Sequence, residues 1–235
     1  MVSLLLLATL AAPAAASGVA IARLGSTTTH SPPRSRVHAQ LQAGNGSSIP
    51  ANGAVWPTAI FWSTVQIGTP PVDFPVAIDS GSGDLDVAGN GCVGCVTTAP
   101  NAAYDSATSS TSKKALPYRF SNTYQTCDLA DPTAPCSISG KLFSDQVSLA
   151  GLGPVTVTLG SIEKQDANFD QFAEIDGVMG FTGGGAKNVF AQLVAGGHCE
   201  NVWALCLNHG STSNGTLTIG GVEPSLASED IACKY

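Results

Sequence analysis

The residues best suited to chemistry in this sequence are Asp79-Ser80-Gly81-Ser82. A carboxylate held in one orientation by hydroxyl and N–H donors can bind or activate a water molecule, so Asp79 is the candidate acid or base. Ser80, Gly81 and Ser82 are its supporting residues. Such a group needs a rigid platform, and the stretch before it supplies one. In Phe74-Pro75-Val76-Ala77-Ile78 the larger apolar residues alternate with smaller ones, the pattern of a short half-buried strand. That strand delivers Asp79 into a turn where Gly81 and Gly83 tolerate backbone angles closed to other residues.

The 235 residues are 43% hydrophobic and only 11% charged, with 26 glycines and 14 prolines. This composition suits short strands joined by many turns, with few helices. The net charge of −7 leaves no Lys/Arg surface to neutralise phosphates, so a nucleic-acid partner is not expected. At the N-terminus, Leu4–Leu7 and an Ala-rich run ending in Ala14-Ala15-Ala16 read as a signal peptide over residues 1–16. The run is short for a membrane span. Secretion, or delivery to an endomembrane or vacuolar lumen, is therefore expected. The seven cysteines then read as an oxidised framework with one thiol left over.

Residues 17–53, rich in Ser, Thr, Pro and Gly, read as a poorly ordered propeptide or linker, with a glycosylation sequon at Asn45. Strand character returns over Ile60–Ile67 and ends at Gly68-Thr69-Pro70-Pro71, so a hairpin presents Asp79. Cys92-Val93-Gly94-Cys95 reads as a small disulfide loop. Redox and zinc readings find no support, since no second C-x-x-C exists and the four histidines are scattered. Leu116–Tyr124 reads as a strand entering Cys127–Cys136, a hairpin tip closed by a disulfide around Pro132 and Pro135. Further strands are expected at 141–149, 155–159, 202–207 and 216–219, with a second sequon at Asn214. Gly183-Gly184-Gly185 leads into a helix carrying Val189, Phe190, Leu193 and Val194 on one face. A phosphate-loop reading fails there, because the spacing is one residue off and Asn188 replaces the metal-binding Ser or Thr.

Five motifs, in order over residues 59–222, resemble the N-terminal lobe of pepsin-like aspartic proteases. Ile67-Gly68-Thr69-Pro70 is similar to the family's I-G-T-P, and Asp79-Ser80-Gly81-Ser82 to its D-[TS]-G-S active-site motif. Tyr124-Gln125-Thr126 resembles the flap Y-G-T, Asp176-Gly177-Val178-Met179-Gly180 the D-G-I-L-G run, and Leu217–Val222 the strand that closes the first lobe. The resemblance implies an all-β lobe spanning 54–221, with a flap hairpin and one or two short helices. Residues 222–235 would begin a truncated second lobe. It also implies a polypeptide substrate and hydrolysis by carboxylate-activated water, with no metal or other cofactor. Ser82 would hydrogen-bond the Asp79 carboxylate, the Ser80 hydroxyl would lock one lobe's loop to the other's, and Tyr124, Gln125 and Thr126 would close over the substrate.

Three departures stand against the family pattern. Asp86 replaces a tryptophan, Gln125 replaces the flap glycine, and D-[TS]-G occurs nowhere else in the 235 residues. The family draws one aspartate from each of two lobes; two carboxylates that close cannot both ionise, so they share a proton and divide the roles of acid and base, as pepsin illustrates. Asp84 and Asp86 read as solvated loop acids rather than a substitute second carboxylate. The expected function is an aspartic endopeptidase in truncated form, its site completed by a second lobe or by a homodimer partner. The alternative is an inactive protease-like lobe that acts as a binding or inhibitor protein.

Overall fold

The computed structural model describes residues 18–22, 46–54, 60–97, 101–124, 136–166, 174–207 and 215–222. The hairpin that presents Asp79 is formed by β3 (Ile60–Ile67) and β4 (Val72–Asp79), antiparallel, with Val65 opposite Phe74. Along β3, alternate residues Phe61, Ser63, Val65 and Ile67 are buried, the period-2 pattern of a strand with one covered face. Short β9 (Gly177–Gly180) runs parallel to β4, and β5 (Leu85–Val93) lies antiparallel to β9 on its other side. The sheet continues through β8 (Leu152–Gln165) and β7 (Cys136–Leu149). Pairing of Val65, Gln66 and Ile67 with Leu149, Ser148 and Val147 joins β7 back to β3. The ring β3-β4-β9-β5-β8-β7 therefore closes on itself, which removes the free edges that an open sheet presents.

Inside the ring sit Phe74, Val76, Leu85, Val87, Met179, Val147, Leu149, Val157 and Leu159, all essentially buried. A fully buried side chain of this size stabilises the fold by about 1.5–3 kcal/mol. Phe181 extends this core: its ring lies 4.7 Å from Trp203 and 6.3 Å from Phe190. Phe190 belongs to the single α-helix among the described residues, α1 (Val189–Ala195), which buries Val189, Phe190 and Leu193 as the sequence pattern predicts. Asn188 caps it, its side chain accepting the Ala191 N–H at 2.8 Å. The residue that disqualified a phosphate loop is thus the helix N-cap.

Outside the ring, β6 (Lys113–Tyr124) pairs with β7 to form the two arms of the expected flap hairpin. The arm starts three residues earlier than the sequence pattern suggests. Its tip, with Gln125, Thr126 and Cys127, lies outside the described residues, as do Asn45 and Asn214. On the other side β2 (Ser47–Ala54) links β3 to β11 (Gly215–Ile219), β10 (Trp203–Leu207) and β1 (Gly18–Ala22). The segment 17–53, expected to lack regular structure, therefore contains two strands. Pro50 and Gly53 break the alternation that would have marked β2. It is held by its partners instead: Leu217 stands opposite Ile49, Trp62 stands opposite Asn52, and the Ser63 hydroxyl donates to the Pro50 carbonyl at 2.8 Å.

Candidate active site

Asp79 is the last residue of β4 and lies in register with Gly180 of β9. Its carboxylate accepts the Gly81 N–H at 2.7 Å, a two-residue turn closed by the side chain itself. The loop that follows is fastened to the end of β9 along its whole length. Phe181 N–H donates to the Asp79 carbonyl at 2.9 Å, Thr182 N–H to the Ser82 carbonyl at 2.9 Å, and Gly180 N–H to the Asp84 carbonyl at 2.8 Å. The Thr182 hydroxyl adds a second bond to the Ser82 carbonyl, at 2.8 Å. This approach is so close that a Cβ on Gly180 would collide with the Ser82 carbonyl and lie 2.5 Å from the Gly83 nitrogen. Asp176-Gly177-Val178-Met179-Gly180 is thus the support under the Asp79 loop.

Ser80 is exposed beside Asp79. The Ser82 hydroxyl is buried and has no hydrogen-bond partner among the described residues. The bond expected from it to Asp79 is not formed; among the described residues the Asp79 carboxylate takes the Gly81 N–H instead. Tyr124, the last residue of β6, is half-buried close enough to Asp86, Asp79 and Asp84 to feel all three charges. Burial and then those carboxylates push its phenol well above the ordinary tyrosine range, so the hydroxyl stays protonated and available as a donor.

Asp86 overturns its expected place as a solvated loop acid. It alternates with Leu85 and Val87, which fill the ring, and so points to the opposite face, where β6 crosses and covers it to 1% exposure. One oxygen accepts the Asn122 amide at 2.7 Å. The other, Oδ1, is buried against Gly160 near the Phe120 ring, with no partner among the described residues. Burial raises its pKa to about 7, Asn122 and Lys187 pull the other way, and nearby Asp84 adds to the rise. Asp84 itself is half-buried and paired with Lys187 at 2.9 Å.

Two further acids are buried: Asp145, which the sequence did not single out, and Asp176, which opens the D-G-I-L-G-like run but whose partners the sequence did not disclose. Asp145 accepts hydrogen bonds from the hydroxyls of Tyr104 (2.9 Å), Ser109 (3.0 Å) and Thr111 (2.6 Å) and from the Gln146 N–H (2.8 Å). Asp176 takes the Asn101 amide at 2.8 Å and the Ala102 N–H at 3.0 Å, while burial raises its pKa. Both tie the 101–112 loop to the ring. The signal missed was the Ser/Thr/Asn-rich stretch itself, which looks like plain surface but supplies their donors.

Cys92 and Cys95 form the expected disulfide, with Cα atoms 5.5 Å apart. Cys136 is also disulfide-bonded, and Cys199 is a free thiol whose pKa burial pushes up to about 11. No group of three or more His, Cys, Asp or Glu side chains is placed to hold a metal among the described residues. Nor is any helix among them long and apolar enough to cross a membrane.

Comparison with known proteins agrees with this geometry. The sequence model of the eukaryotic aspartyl protease family matches residues 60–234. The chain is 25% identical over 210 residues to aspartic proteinase 36 of Arabidopsis thaliana, covering 79% of this chain and 43% of that protein. It is 30% identical over 173 residues to pepsin F of Oryctolagus cuniculus, covering 71% and 42% respectively. With cathepsin E of Cavia porcellus it shares 29% identity over 178 residues, covering 70% and 41%. The chain belongs to the aspartyl protease family, and it spans less than half the length of these three relatives.

Proposed function

We propose that this chain carries one half of the active site of an aspartic endopeptidase, with Asp79 as its catalytic carboxylate. The observation that carries the proposal is the Asp79 loop: a carboxylate bonded to its own turn, its backbone clamped by Phe181 and Thr182, beneath a flap strand that ends in Tyr124. Two carboxylates sharing one proton hydrolyse a peptide bond by dividing the labour. The ionised one takes a proton from water as it attacks the carbonyl carbon, and the protonated one gives its proton to the carbonyl oxygen. Asp79 supplies one of these groups. A second lobe supplies the other, and a second copy of this chain is the alternative source. Ser80 faces outward, where a partner loop can reach it, and Tyr124, Gln125 and Thr126 close over the polypeptide. The leader over residues 1–16, passage through a secretory or vacuolar lumen, and glycosylation at Asn45 and Asn214 belong to the same proposal.

The test is an acid-pH assay of the full chain on a denatured-protein substrate, with its oligomeric state followed by light scattering. A monomer without turnover and a dimer with it assign the second carboxylate to another copy. Restoration of turnover by a family C-terminal lobe supplied in trans assigns it to a second lobe. In either active form Asp79→Asn removes activity by at least about 10²–10⁴-fold, the worth of one general acid–base partner. An Asp79→Asn form that keeps normal turnover overturns the assignment. The single D-S-G motif favours a second reading, an inactive lobe that binds peptide. It predicts saturable peptide binding by this chain with no turnover in either arrangement.

A further inference from the structure

Asn122 is placed between two groups of the site. Its side-chain amide donates to Asp86 Oδ2 at 2.7 Å and also hydrogen-bonds the Tyr124 hydroxyl. An amide nitrogen has two hydrogens; the close bond is to Asp86, and Asp84, at 3.5 Å, stands at the limit of bonding distance. Asp86 belongs to β5, in register with Gly160 and Val178, and cannot move without moving the ring. Asn122 and Tyr124 belong to β6, which stands outside the ring with only β7 beside it among the described residues. The contact is therefore between a fixed wall and a hinged arm.

We infer that Asp86, acting through Asn122, is the positioning residue of the flap: it draws β6 onto the ring and fixes where the Tyr124 hydroxyl stands relative to Asp79. The inference deepens the endopeptidase reading and rests on it for its purpose, though not for its test. The latch has a sign. As a neutral acid Asp86 keeps Oδ2 as an acceptor for Asn122 and leaves no charge in the slot at Gly160 and Phe120. Ionised, it places charge on an oxygen that no described residue can solvate. The groups that face it are Asp84 on its own loop, Lys187 ahead of α1, and Asn122 and Tyr124 on β6, with Asp79 across the site. Lys187 is already committed to Asp84, so it compensates the new charge only in part. The arm is held in acid and released toward neutral pH and above.

The experiment titrates the full-length chain between pH 5 and 8.5 by two methods. Tyrosine labelled at Cζ reports the Tyr124 hydroxyl by NMR, with Tyr124→Phe assigning its signal among the four tyrosines. Amide exchange, corrected for intrinsic pH dependence, compares residues 118–124 with β4 as an internal control. The wild-type Tyr124 signal should inflect near pH 7, and protection of 118–124 should fall about tenfold across it while β4 holds, because a hinged arm opens at lower cost than the ring. In Asp86→Asn both readouts should be flat. In Asn122→Ala the pH-dependent loss of protection over 118–124 should vanish even though Asp86 is present. A wild-type signal without an inflection, or a pH-dependent loss of protection over 118–124 that survives in Asn122→Ala, overturns the latch, as does loss of protection shared equally by β4. Because neither readout needs turnover, a chain that keeps the titration but stays inactive as monomer, as dimer and with a C-terminal lobe supplied in trans sinks the peptidase reading alone. An active one with a flat titration sinks the latch alone.

Discussion

Asp145 and Asp86 are equally buried, each 1% exposed, yet their surroundings are opposite. Asp145 is met by three hydroxyls and a backbone N–H, enough donors to occupy both oxygens as a carboxylate. Asp86 has one close donor and an oxygen with none among the described residues. A buried charge surrounded by donors is a structural hub, costly to remove and insensitive to function. A buried acid left half-satisfied is unfavourable for folding as an anion, and such groups concentrate where a protein moves or reacts. The first shares Ser109 and Thr111 with Thr69 at the β3–β4 turn, whereas the second borders Asp79 and Tyr124.

The sharpest way to break this contrast is Asp145→Leu. It strands the hydroxyls of Tyr104, Ser109 and Thr111 and should destabilise the chain by about 3–5 kcal/mol in urea unfolding at neutral pH. A loss under 1 kcal/mol would show that Asp145 is no hub. Asp86→Asn should behave in the reverse manner. Because the folded-state pKa of Asp86 is raised, from 3.8 to about 7, its acid form is the one the fold prefers. The wild type then loses stability as pH climbs from about 4 to about 7, by at most about 4 kcal/mol at 1.36 kcal/mol per unit, and no further above that. Asp86→Asn should remove this part of the pH slope, which denaturation midpoints at pH 4.5 and 8 will show. Asn188→Ala, at the cap of α1, should cost about 1 kcal/mol at either pH. The smallest effect belongs to Glu163→Gln. Its ion pairs with Arg119 and Lys141 sit at the surface, and the change in midpoint should stay within about 0.5 kcal/mol.

The same two acids show how much the sequence disclosed. β3 and β4 were legible because their apolar residues alternate, and the Asp79 turn because Gly and Ser punctuate it, whereas β5, buried on both faces over Leu85–Gly89, shows no alternation and was not read as a strand. β2 was hidden by Pro50 and Gly53: its order comes from partners distant in the chain, Leu217 on one side and Trp62 on the other, which no local pattern reveals. Asp86 was misread for the same reason. Its neighbours in sequence, Gly83 and Asp84, are those of a solvated turn, while its cover arrives from Phe120 and Asn122 more than thirty residues later. Local pattern conveys which way a residue points but not what lies across from it.

The outermost position of β6 has one more consequence. Among the described residues it ends the sheet, so its outer edge presents backbone donors and acceptors to any passing chain. That strand carries exposed Lys113, Lys114 and Arg119, and Pro117 removes one of its N–H groups. A second β6 approaching edge to edge would bring like charges together and find a gap in its hydrogen-bond ladder. The arm that must stay loose enough to open is thereby kept from self-association along this edge.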